Sequence, residues 1–178
     1  MTAGRLIVLL LLFCALAAGA GLYYLQIFGY YEEVTSQPGR DVMLVALATD
    51  APEPIPYGAF QAIDAQSSPI RYRACFTTTA DPATLAASHV TLAEATPRNA
   101  PFWFDCFDAE AIARQIEAGT AKLFLGAKNV HYGVDRIVAI TTDGQGYVWH
   151  ELNNCGAKAY DGTVIGEDCP APAHDAGS

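Results

Sequence analysis

The stretch Ile137-Val138-Ala139-Ile140-Thr141-Thr142-Asp143-Gly144-Gln145-Gly146-Tyr147-Val148-Trp149-His150-Glu151-Leu152 decides the fold. A short apolar run over residues 137–142 meets Asp143-Gly144-Gln145-Gly146, whose glycines supply the backbone freedom of a tight reversal, and the chain returns through residues 147–152. This is the pattern of an antiparallel hairpin. Outward from it, residues 122–125, 42–47 and 69–78 read as further strands, the second as a short apolar run. In the third, Arg71, Arg73 and Cys75 alternate with Tyr72, Ala74 and Phe76, which puts the arginines on one face and the aromatics on the other. Two short helices interrupt the strands. Residues 81–87 start with Asp81 as cap and Pro82 at the first helical position. Residues 109–118 have Asp108 or Asp105 as cap, Ile112 and Ile116 four apart, and Gly119 as the stop. The fold class is therefore α+β, a mainly antiparallel sheet with one or two helices.

Upstream, Arg5 precedes an apolar run over residues 6–25. At about 1.5 Å per residue, such a helix covers roughly the 30 Å of a bilayer's hydrocarbon core. A cleaved signal peptide would start the same way, and Ala18-Gly19-Ala20 offers a cleavage site. The apolar character nevertheless continues past that site, and Tyr23, Tyr24, Tyr30 and Tyr31 form an interfacial aromatic belt before Glu32 and Glu33. An uncleaved anchor contacting the bilayer through residues 6–28 is the expectation. Phe13 before Cys14 argues against a lipidated cysteine. Ala15 with Gly19, and Ala17 with Gly21, have the spacing that permits self-association of anchor helices, although small residues also simply dilute a Leu-rich span. Arg5 on one flank and Glu32 and Glu33 on the other put the N-terminus in the cytoplasm. The organisation expected is an anchor over residues 1–31, an extracytoplasmic domain over 32–169 and a flexible tail over 170–178, in the inner membrane with a single pass.

The domain's cysteines agree with an oxidising compartment. Cys75, Cys106, Cys155 and Cys169 form an even set with three possible connectivities, of which Cys75–Cys106 with Cys155–Cys169 is the sequential one; free buried thiols are the alternative. Charge narrows the partners. The chain carries a net charge of −9, and all 19 acidic residues follow the anchor. Nucleic acid and anionic membrane surfaces attract the opposite sign, so no nucleic-acid partner is expected.

The search for chemistry excludes more than it finds. His150-Glu151 begins like a zinc-protease helix, but Asn154 stands where the second histidine would be. No nucleophile elbow, phosphate-binding glycine loop, calcium loop or Cys-x-x-Cys pair occurs. No catalytic residue, metal site or cofactor is therefore assigned, and the chain leans away from an enzyme. Two constellations remain as binding candidates. Asp64, Ser67, Ser68, Arg71 and Arg73 contain two same-face arginines that could grip a carboxylate or phosphate, or else pair with the domain's own carboxylates. The aromatic cluster over residues 101–107, which contains Trp103, suits core packing, with a ligand groove or partner surface as the sharper reading. His150 is the remaining candidate, and His131 could meet it across strands.

The segments over residues 62–76, 100–109, 131–139 and 143–155 resemble an uncharacterised family of single-pass alphaproteobacterial proteins, a domain of unknown function. The resemblance runs over nearly the whole chain and implies a short membrane-anchored protein without importing an activity. Some relatives carry a histidine-kinase label, which a domain this short without glycine-rich ATP-binding segments contradicts. The function expected is an anchored extracytoplasmic binding or interaction module, accessory to an envelope complex or a sensor, with an envelope protein as partner. The alternative is an envelope hydrolase or thiol-dependent enzyme using His150 or His131 with an acid such as Asp135 or Glu151.

Overall fold

A computed structural model describes residues 2–169; the tail expected over 170–178 lies outside the described residues. Helix α1 (Ala3–Tyr24) continues into a π-helical turn (Leu25–Gly29), and together they form one apolar helix, long enough to cross a membrane, with no buried residue. The domain follows as β1 (Glu32–Glu33), β2 (Met43–Val45), β3 (Pro52–Pro54), β4 (Gly58–Asp64), β5 (Arg73–Thr77), α2 (Pro82–Ala86), α3 (Ala109–Glu117), β6 (Ala121–His131), β7 (Val134–Thr141) and β8 (Gln145–Leu152). Six strands form one antiparallel sheet in the order β1-β4-β5-β8-β7-β6, and β2 pairs with β3 as a separate hairpin. The α+β class expected from the sequence is what the chain adopts.

The β7–β8 hairpin lies inside the sheet, and its central residues, 137–141 and 148–150, are buried on both faces. Gly146 shows how tightly β8 meets β5: a Cβ there would fall 2.1 Å from the Phe76 ring. Alternation then sorts the core into two layers. On one face Ala62, Tyr72, Ala74, Phe76, Val138, Ile140 and Val148 pack beneath Val42, Leu44 and Ile55 from the β2–β3 hairpin and its exit. On the other, Ile63, Cys75, Ile137, Ala139 and Trp149 lie under Phe104, Phe107 and Ile112, so the 92–108 loop and α3 form the cover. The Cys75–Cys106 disulfide ties that cover to β5, and Cys155–Cys169 closes the segment after β8. Constraining a loop of the first one's length is worth about 3 to 4 kcal/mol in the chain-entropy picture.

Local chemistry sets the helix ends. The Asp81 carboxylate accepts from Thr84 N at 2.8 Å, and Asp108 accepts from the amides of Glu110 and Ala111 at 3.0 Å. Gly119 ends α3 at a φ of +72°, a conformation that costs glycine nothing. The edges differ. The outer side of β6 is covered by residues 88–92, with Leu125 N donating to Val90 O at 3.0 Å and Leu92 N to Leu123 O at 3.1 Å. At the opposite edge β1 covers only the end of β4, through the pairs Glu32↔Asp64 and Glu33↔Ile63 and the bond from Val34 N to Ala62 O at 2.9 Å.

Besides the short strands β1 and β3, which the sequence did not suggest, three longer strands depart from expectation. The strand expected over 69–78 starts only at Arg73, because Ser68 N donates to Ala65 O and Arg71 N to Ser68 O, making a turn of the residues before it. Strand β6 runs to His131 rather than ending at 125, since bulges beyond Leu125 let the pairing with β7 resume. Strand β4 was not expected at all. By register, the apolar helix enters at one end of the sheet, which holds the start of β1, the end of β4, the start of β5, the end of β8 and the β6–β7 turn.

Candidate functional site

Two of the residues singled out in the sequence, Trp103 and Arg71, meet at the exit of the apolar helix. The Trp103 indole N–H donates to Ile27 O at 2.8 Å, and Arg71 Nη2 donates to Gln26 Oε1 at 2.5 Å. Aromatic packing completes the bracket. Phe28 stacks on Trp103 at 6.4 Å and meets Phe102 edge-on at 5.8 Å, Tyr31 meets Trp103 edge-on at 5.9 Å, and the Arg71 guanidinium lies over the Tyr31 ring. The last turn of the helix is thus held by two separate pieces of the domain, the loop around Trp103 and the turn that carries Arg71.

That turn is itself pinned from behind. Arg136 Nε, which can only donate, gives its hydrogen to His150 Nε2 at 3.1 Å, so Nδ1 bears the imidazole's own hydrogen and donates it to Pro69 O at 2.8 Å. His150 stacks on Tyr72 with ring centroids 4.8 Å apart, and the Arg136 guanidinium covers Tyr72 at 4.6 Å. Burial above all, with the Arg136 charge adding to it and the Pro69 bond opposing, holds the His150 pKa down at about 4. Burial likewise pushes the Tyr72 hydroxyl up to about 12. Arg73 is buried on the other side of the same segment, where its guanidinium donates to the carbonyls of Ile70, Tyr72, Arg98 and Asn99. Burial draws its pKa down to about 10, which leaves it charged at neutral pH.

The sequence grouping of Asp64, Ser67, Ser68, Arg71 and Arg73 therefore does not close on one ligand. Asp64 accepts from the adjacent amide of Ala65, Ser67 and Ser68 shape the turn, Arg71 faces the helix exit, and Arg73 bonds backbone carbonyls. The alternation did put Arg73 on the same face as Cys75, opposite Tyr72 and Phe76. His131 and His150 do approach, at 6.0 Å between rings, yet both His150 nitrogens are engaged. Among the described residues no group of three or more His, Cys, Asp or Glu is placed to share a metal ion.

A cleft of about 370 Å³ opens beside the bracket, lined by Glu33, Val34, residues 60–63, Trp103, Phe104 and Asp105. It runs along the outer edge of β4 with Val34, Phe60 and Phe104 as apolar walls. A second cleft, of about 430 Å³, holds Glu94, Asp135 and Glu151. Two of those acids are already committed: Glu151 accepts from Thr96 N and Trp149 Nε1, and Asp135 from Asn129 N and Asn153 Nδ2. The first cleft is the better candidate because its rim acids and strand edge keep capacity for a ligand. Sequence reasoning missed Gln26, Ile27 and Phe28, whose roles depend on long-range contacts, spanning 45 residues for Gln26 and 76 for Ile27. The apolar Pro101-Phe102-Trp103 run ahead of a helix cap was the available signal.

No curated protein and no solved structure matches the chain. Residues 42–170, the domain beyond the helix, match the model of a family described as a family of unknown function. On that match the chain belongs to the DUF6446 family.

Proposed function

We propose that this protein is a membrane-anchored interaction module of the cell envelope, with its N-terminus in the cytoplasm and its domain outside the inner membrane. Its role is to present the cleft beside the anchor to an extended segment of an envelope partner, as an accessory of a larger complex or a sensor. The observation that carries this reading is the cleft itself, which combines apolar walls with an edge of β4 that β1 covers only over its last residues. A strand laid along that edge would continue the ladder, with side-chain pockets supplying selectivity. Glu33 and Asp105 at the rim, together with the net charge of −9, favour a segment bearing Lys or Arg. The two disulfides support an oxidising compartment.

The hydrolase or thiol-enzyme reading has no supporting observation. The His150 lone pair is taken by Arg136, and among the described residues the free thiol is Cys14, within the apolar helix. The test is site-specific photocrosslinking in intact membranes, with the reactive residue at Gln61 in the cleft or at Lys122 far from it. The expected result is one envelope protein with a basic extended segment, identified by mass spectrometry, joined through Gln61 only. Equal background from both positions would contradict the reading.

A further inference from the structure

The loop holding Pro101, Phe102 and Trp103 stands at the height of the helix exit. Phe102 is 71% exposed although it is a large apolar side chain, and its ring lies 5.8 Å from that of Phe28. Leu25 and Phe28, at 39% and 38% exposure, continue the same apolar surface from the helix onto the loop. The hydrogen bond from Trp103 to Ile27 O fixes the loop's height along the helix axis. If residues 6–25 fill the hydrocarbon core, as the anchor reading requires, the residues just after Leu25 lie where acyl chains give way to headgroups. Phe102 then occupies that boundary too. An exposed Phe beside an indole, next to a spanning helix, is the composition of a membrane-interface contact.

We infer that the 101–103 loop is a second membrane contact, in which Phe102 inserts into the bilayer interface beside the anchor and seats the domain on the lipid in one orientation. Its occupant is the lipid surface, because the patch continues a helix already committed to lipid. Arg71 beside it donates to Gln26 at the same height and lays its guanidinium over the Tyr31 ring, which keeps a cation at headgroup level. This inference rests on the anchor reading, so its test must separate the two.

The full chain, with Cys14→Ala and its disulfides intact, is reconstituted in phosphatidylcholine and phosphatidylglycerol vesicles and carries one nitroxide at Phe13→Cys, Phe102→Cys or Thr120→Cys. Depth is read from relaxation by oxygen against a water-soluble nickel complex. The expected order is position 13 deep, position 102 at the interface and position 120 as aqueous as free label. If position 13 is deep while 102 matches 120, the loop inference is overturned and the anchor stands; if position 13 is also aqueous, both fall. A second reading uses the unlabelled chain, so that a disturbed loop cannot mislead. Lipids brominated near the headgroup are expected to quench Trp103 while the fully buried Trp149 is spared, and Phe102→Ser is expected to weaken that quenching. Equal emission in brominated and ordinary vesicles overturns the inference.

Discussion

Arg73 carries the largest local commitment, since one guanidinium satisfies carbonyls from both the 69–72 turn and the loop over residues 98–99. Replacing it by Met keeps the volume but leaves those oxygens without a donor, and each orphaned buried acceptor costs about 1 to 3 kcal/mol. Arg73→Met is expected to lose about 2 to 4 kcal/mol of unfolding free energy in denaturant titrations of the detergent-solubilised chain; an unchanged midpoint would refute the bonding described. His150 gives a pH signature. Its folded pKa of about 4 lies below the unfolded value near 6.5, so between these values the unfolded chain binds the extra proton. Stability conferred by the neutral ring is therefore complete above about pH 6.5 and falls away as the pH drops toward 4. The depth is of the order of 3 kcal/mol. Melting scans should show a steeper loss over that window for the native chain than for His150→Gln, and identical slopes would show that the imidazole is not held neutral.

At the scale of elements, the strongest constraint is the approach of β8 to β5. Gly146→Ala would drive its methyl into the Phe76 ring, and overpacking of this kind typically costs 1 to 3 kcal/mol. A variant as stable as the native chain in thermal unfolding would mean that the two strands are not in this register. Elements whose ends rest on local chemistry were legible in the sequence: Asp81-Pro82 opens α2, and Asp108 and Gly119 bound α3 as their types dictate. Strand β4 was not, because Gly58 and Ala59 break the alternation and Ala59 sits at a φ of 46° beside a bulge. The site was legible only by residue type. Alternation placed Arg73 on the correct face but could not tell that backbone carbonyls, rather than carboxylates or a ligand, would meet it. The partner of Trp103 lies 76 residues away, and no local pattern encodes such a contact.

Across the whole molecule, the covalent and electrostatic features point to one arrangement. Of the five cysteines, four are paired in the sequential connectivity, and Cys14 is free on the apolar helix. Alkylation of denatured, unreduced protein should therefore modify one thiol, and all five after reduction. Five modified without reductant would remove the case for an oxidising compartment. The bracket at Trp103 and Arg71 makes the helix exit part of the domain's own packing, so under the proposed anchoring the helix would fix where the cleft stands as well as which compartment it faces. The most direct test of that account is labelling of spheroplasts by a membrane-impermeant maleimide, with a single cysteine at Thr2→Cys or Thr120→Cys in a Cys14→Ala background. The account predicts that position 120 reacts at once in intact spheroplasts and position 2 only after lysis, with both chains staying in the membrane fraction. Reaction of position 2 from outside, shielding of position 120, or release of the protein into the soluble fraction would contradict it.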